Sequence, residues 1–273
     1  MKIRTGFEIT FESVQPTPMI LMLNVHPSRI PDLVTPEILT FDPPTSVRVY
    51  RDDFDNVCTR IVAPPGRVTV STDFLIHDSG EADVVAPDAR QHDVQDLPDD
   101  ILIYLLGSRY CDTDKLSAIA WALFGAKKPG WARVQAIVDY VHERIRFDYQ
   151  RADATRTAFD GHEGGEGVCR DFAHLAVALC RCMNIPARYC TGYLGDICIP
   201  PVPDPMDFSA WFEVYLDGRW YTFDARHNTP RVGRILMARG RDAADCAIST
   251  NFGAQQLVRF DVHTDEVIEE TAG

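Results

Sequence analysis

The chain has 273 residues and a net charge of −13, with apolar and charged fractions of an ordinary globular protein. That length can bury the core of one large domain or two modest ones. The carboxylate surplus repels phosphate backbones and anionic bilayers, so neither nucleic acid nor a membrane surface is an expected partner.

Met1-Lys2-Ile3-Arg4-Thr5-Gly6-Phe7 lacks the apolar run and cleavage site of a secretory signal. No stretch reaches the length of a membrane span. A reducing, cytoplasmic location is therefore expected, with the eight cysteines as free thiols. Five of them fall between Cys169 and Cys198. Cys180 and Cys182 are separated by one residue, unlike the two-residue spacing of zinc and thioredoxin sites, so no metal site is expected.

Residues 1 to about 78 read as β-structure. Ile3, Thr5, Phe7, Ile9 and Phe11 alternate with polar residues, which predicts a strand with one buried face. Met19–Val25, Val47–Arg51, Val57–Val62 and Val68–Ile76 predict further short strands of an antiparallel sandwich. Residues 78–100 are acidic and polar and read as a linker, which puts a domain boundary near 85: residues 1–85 first, then 86–273. Helices are predicted after Pro98, over 114–124, and from Trp131 to Ile145, where apolar residues recur at three- and four-residue steps. Residues 151–167, with four glycines, read as a loop.

The next segment is Gly167-Val168-Cys169-Arg170-Asp171-Phe172-Ala173-His174-Leu175. Phe172, Leu175, Ala176, Leu179 and Met183 mark one helical face, so Cys169 falls in the first turn of an amphipathic helix. The unpaired N–H groups of such a turn stabilise a thiolate and can hold an oxyanion. Gly167 allows a substrate close approach. Downstream, Ser209–Leu216 and Arg219–Asp224 flank Asp217-Gly218, a type I′ hairpin signal. The register sets 216 opposite 219, 211 opposite 224 and 209 opposite 226, which gives Ser209, Trp211, Asp224 and Arg226 one face.

These segments together resemble bacterial transglutaminase-like proteins, a superfamily of cysteine-protease type. The likeness lies in Gly-Val-Cys-Arg-Asp-Phe-Ala-His-Leu, Ile185–Tyr189 with Thr191-Gly192-Tyr193, Ala210–Tyr215 and Trp220–Asp224, over roughly 100–250. The first 80 or so residues resemble the β-rich region often found ahead of that core. The resemblance implies an α+β, papain-like core following a β-sandwich-like N-terminal domain. It also implies a Cys-His-Asp triad acting through a thioester on peptide or protein amides, with no cofactor. Cys169 matches the nucleophile and Asp224 the orienting acid. The family's histidine falls on Ser209, which cannot act as a base near neutral pH. His227 is an alternative base, although strand parity turns it away from Asp224. His174 is rotated from Cys169 along the helix. His162 and backbone N–H groups are candidate oxyanion donors, and Trp211, His162 and Gly167 candidate substrate contacts. Arg231, Arg234, Arg239 and Arg241 read as a solvated surface paired with Asp242 and Asp245. Three functions follow: a cysteine amidase, protease or acyltransferase; a pseudoenzyme that binds peptides; or a stoichiometric thiol.

Overall fold

The computed structural model describes residues 1–201 and 206–268. The chain begins with β1 (Lys2–Ser13), β2 (Thr17–Leu21), β3 (Thr40–Asp42), β4 (Arg48–Arg51), β5 (Val57–Ala63) and β6 (Gly66–His77). All five alternating residues of β1 from Ile3 to Phe11 are buried, and Arg4 is exposed. A 3-10 helix at Asp99–Leu105 precedes α1 (Thr113–Phe124) and α2 (Trp131–Arg144). Then come β7 (Arg146–Phe147), α3 (Ala158–Gly164), β8 (Glu166–Gly167) and α4 (Cys169–Cys182). The chain continues with β9 (Ala187–Tyr193), β10 (Ser209–Leu216), β11 (Arg219–Phe223), β12 (Ile235–Gly240), β13 (Ser249–Asn251) and β14 (Gln255–Glu266).

The glycine-rich segment is not a plain loop, because α3 lies within it. Asp160 N–H donates to Thr157 Oγ1 (3.3 Å) and Thr157 N–H donates back to Asp160 Oδ2 (3.0 Å), a reciprocal cap. Gly165, at φ 65°, ends the helix in the left-handed conformation.

Two sheets, ordered β14-β1-β6-β3 and β13-β2-β5-β4, enclose one apolar core. β14 pairs with β1 from Ile3–Glu266 to Ser13–Gln255. The sandwich is thus closed by the far end of the chain, and the expected core unit beginning at 86 stops short of β13. Residues 269–273 of that expected unit lie outside the described residues.

The third sheet, β11-β10-β9-β12, is antiparallel throughout. Phe212, Val214 and Leu216 on one face of β10 pack against Leu175, Ala176 and Leu179 of α4. Such side chains contribute about 1.5–3 kcal/mol each on burial. Every residue of α4 from Asp171 onward is buried, with α1, α2 and α3 closing its other sides. The two units share apolar contacts: Tyr193, Phe208, Val232 and Ile235 join the sandwich core. Among the described residues no helix is long and apolar enough to cross a membrane.

Candidate active site

Cys169 opens α4 as expected. The preceding Val168 N–H donates to Asp171 Oδ2 at 2.8 Å, so an acid in the first turn reaches back and closes the helix start. Gly167 serves this closure. A Cβ there would sit 2.4 Å from Asp171 Oδ2, so its smallness admits the capping carboxylate. The Cys169 thiol is directed at Phe208 O, 3.9 Å away. Burial, then the Asp207 carboxylate, push this thiol up to about 11, against the pull of Arg226 and the Ala210 N–H. Desolvation and a neighbouring anion thus oppose the lowering expected from the partial charge of the helix start.

On the opposite side, β11 ends at Phe223, and Asp224–His227 form a turn in which Asn228 N–H donates to Asp224 O at 2.8 Å. The hairpin pairs as read, from Leu216–Arg219 to Phe212–Phe223, with Asp217 and Gly218 both at positive φ. Alternation fails one residue later. Asp224 Oδ1 accepts the N–H groups of Arg226 (3.0 Å) and His227 (3.1 Å), which bends the chain back on the carboxylate. His227 Nδ1 then reaches Asp224 Oδ2 at 2.8 Å. The parity argument against His227 is therefore wrong, because its premise of a continuing strand is wrong. His142 of α2 contacts Ala225 O through Nδ1 at 3.1 Å, and Gln135 and Asp139 hold Asn228, so α2 braces the turn.

Asp224 is 5 % exposed. Burial opposes its ionisation, but the Arg234 guanidinium (Nη2–Oδ2, 3.0 Å) and His227 hold the carboxyl well below the usual range. Arg234 in turn binds Asp83 at 3.0 Å through Nε and lies over the Trp211 ring. Asp83 also accepts the Arg231 N–H at 2.9 Å. The acidic linker is thus strapped to the site. Arg231 and Arg234 are buried, which corrects their reading as solvated surface; Arg241 does pair with Asp245 at 2.8 Å.

Cys169, His227, Ser209, Asp207, Arg226 and Arg231 line one cleft. Ser209 is 7 % exposed, and its carbonyl accepts Thr191 Oγ1 at 3.0 Å. Trp211, two residues further along β10 than Ser209, is not on this cleft: it is 2 % exposed and packs with Cys190 and Leu236. His162 lies on α3, buried against Tyr140 Oη at 3.2 Å, and is also absent from the cleft. His174 is fully buried, stacked on Tyr110, and accepts the Ala243 N–H at 3.1 Å, in keeping with its packing reading. Sequence reasoning missed Asp207 in the cleft wall and the role of Arg234. The run Asp-Ala-Arg-His carried a usable signal, since aspartate commonly binds N–H groups two and three residues ahead. Among the described residues no group of three or more His, Cys, Asp or Glu converges as a metal site.

A family model of the transglutaminase-like superfamily matches residues 118–225, a span that holds Cys169, Ser209 and Asp224 and ends before His227. A crystal structure described as a putative cysteine protease from Cytophaga hutchinsonii is similar over 100 % of this chain and 92 % of its own, at 30 % identity and a TM-score of 0.85. An uncharacterized protein of Mycobacterium leprae is 34 % identical over 85 residues, 30 % of each chain. Another from Mycobacterium tuberculosis is 33 % identical over 147 residues, 49 % of this chain and 45 % of that one. The chain thus matches less than half the length of these curated relatives. Through the family model across the cysteine helix and hairpin, and a structural relative matched nearly end to end, the chain belongs to the transglutaminase-like superfamily.

Proposed function

We propose that this protein cleaves or transfers the acyl group of peptide or protein amides through Cys169, with His227 as base and Asp224 orienting it. The observation that carries this reading is the 2.8 Å hydrogen bond from His227 Nδ1 to Asp224 Oδ2, made by a histidine that shares a cleft with Cys169. An ionised carboxylate requires the proton on Nδ1, which leaves Nε2 as the acceptor. Nε2 takes the Sγ proton as sulfur attacks the amide carbonyl carbon. Because the resting thiol is held near 11, proton transfer accompanies attack and does not precede it as a standing ion pair. The first-turn N–H groups of Cys169 and Arg170, which a helix leaves without intrahelical acceptors, meet the oxyanion. The imidazolium then protonates the leaving amine and the C–N bond breaks. The thioester passes to water or to a second amine, with His227 again taking the proton, and the thiol is restored.

Cys169→Ala and His227→Gln should each lower turnover of a peptide-amide library by about a thousandfold or more, with unchanged circular dichroism. Ser209→His should bring no gain, since the base is already supplied. Full turnover by His227→Gln would remove the base assignment, and a gain from Ser209→His would return it to position 209. The raised thiol favours one other reading, a peptide-binding module without turnover. Equal peptide binding by wild type and Cys169→Ala, with no acyl-enzyme on the wild type by mass spectrometry, would select it.

A further inference from the structure

Phe208 ties two cleft groups together. Its carbonyl oxygen takes the Cys169 thiol contact at 3.9 Å, and its N–H donates to Asp207 Oδ1 at 2.6 Å. Its ring is locked edge-on by Phe7 of β1 (5.9 Å), Tyr193 of β9 (5.1 Å) and Phe260 of β14 (5.5 Å). One buried residue, gripped by the sandwich, therefore fixes the Asp207 carboxylate beside the nucleophile.

The other charges of the cleft are committed elsewhere. Asp224 is held by Arg234 and His227. The Arg226 guanidinium lies 3.7 Å from the Phe147 ring centroid, and Arg231 donates to Gly195 O at 2.8 Å. Asp196 also lines the cleft and has partners of its own. Among the charged groups around the sulfur, Asp207 acts on it most strongly, ahead of Arg226 and Asp224. Among the described residues Asp207 makes no salt bridge; burial raises its carboxyl, against the Phe208 N–H and the Arg226 charge, which favour the ionised form.

We infer that Asp207 makes the Cys169 cleft selective for substrates with an ammonium or guanidinium group beside the scissile amide, such as a lysine- or arginine-bearing peptide. This rests on the cysteine-amide reading above. A bound cation compensates a partly desolvated carboxylate. It also cancels the repulsion between that carboxylate and the thiolate forming on Cys169, so the matched substrate strengthens its own nucleophile.

The test uses thiol chemistry and needs no substrate. Full-length wild type, Asp207→Asn and Arg226→Gln are treated with aminoethyl, sulfonatoethyl and methyl methanethiosulfonate, and labelling of Cys169 is followed by peptide mass spectrometry. Exposed Cys198 is the internal standard. Asparagine keeps an acceptor for the Phe208 N–H, so the loop geometry is retained. Wild-type Cys169 should favour the cationic over the anionic reagent by about tenfold relative to Cys198, as one nearby charge predicts. Asp207→Asn should erase that ratio and speed the neutral reagent several-fold, while Arg226→Gln should widen the ratio. An unchanged ratio in Asp207→Asn overturns the inference, as does faster labelling by all three reagents with the ratio intact. Amide turnover that survives Cys169→Ala would instead sink the cysteine reading and leave the charge ratio untouched.

Discussion

Asp171 and Asp224 stand at opposite sides of the cleft and do the same local job, with different surroundings. Each folds a carboxylate back onto nearby backbone N–H groups. Asp171 closes the helix start through Val168 N–H, and Asp224 closes the turn through the N–H groups of Arg226 and His227. Asp171 is buried enough that its carboxyl is raised, despite the Val168 N–H and the Arg170 and Arg156 charges, and its Oδ1 has no hydrogen-bond partner among the described residues. Both acids are buried and each meets a guanidinium, Arg156 at 3.2 Å from Asp171 and Arg234 at 3.0 Å from Asp224, but Asp224 alone of the two also binds an imidazole, and it stays ionised. The difference teaches that a capping acid becomes a site acid only when buried cations hold its charge beside a titratable ring.

Exchanging each acid for its amide tests that difference most severely. Asp224→Asn should lower amide turnover by about 10³–10⁴-fold, because the neutral amide no longer selects the Nδ1–H tautomer of His227. Asp171→Asn should cost about tenfold or less, and equal losses in steady-state kcat/KM would break the comparison. The stability Asp224 contributes is complete above its unfolded value and is lost only as pH falls through its depressed folded value. Acid titration of the wild type should therefore show this loss at the low end of the scale, and Asp224→Asn should lack it.

The second expectation concerns the thiol between the two acids. With Cys169 pushed up to about 11, its thiolate fraction near neutral pH is about 300-fold below that of a free thiol at about 8.5. Alkylation by iodoacetamide should keep rising toward that value, and a plateau below pH 9 would show that the helix start prevails over burial.

A smaller effect is expected at Gly167→Ala, whose Cβ meets Asp171 Oδ2 at 2.4 Å. Urea unfolding should register about 1–3 kcal/mol of overpacking. A change under 0.5 kcal/mol would mean that the carboxylate moves aside easily and that the cap is not rigid. Smallest is Thr157→Ala, which removes one half of the α3 cap and should cost about 1 kcal/mol by the same measurement.

Cys169, the α4 face and the hairpin were legible because each rests on local periodicity or turn chemistry: Phe172 to Leu179 repeat at helical steps, and Asp217-Gly218 takes positive φ at both residues. The α3 helix was missed because its glycines masked a Thr-x-x-Asp cap. Trp211 was misplaced relative to the cleft because both faces of β10 are buried, so alternation did not reveal which face meets α4.

The helix-start cysteine and the hairpin register were determined by sequence alone, since they follow from interactions only a few residues apart. Three features were decided by the tertiary structure. The turn at Asp224 brings His227 onto its carboxylate, Arg234 bridges Asp224 to Asp83 in the linker, and β14 returns to hold Phe208 behind the nucleophile. The turn had a local signal in Asp-Ala-Arg-His, but that a strand ends there is decided by packing, and the other two bring charges or rings together across longer separations, where no local pattern encodes the partner of a buried charge.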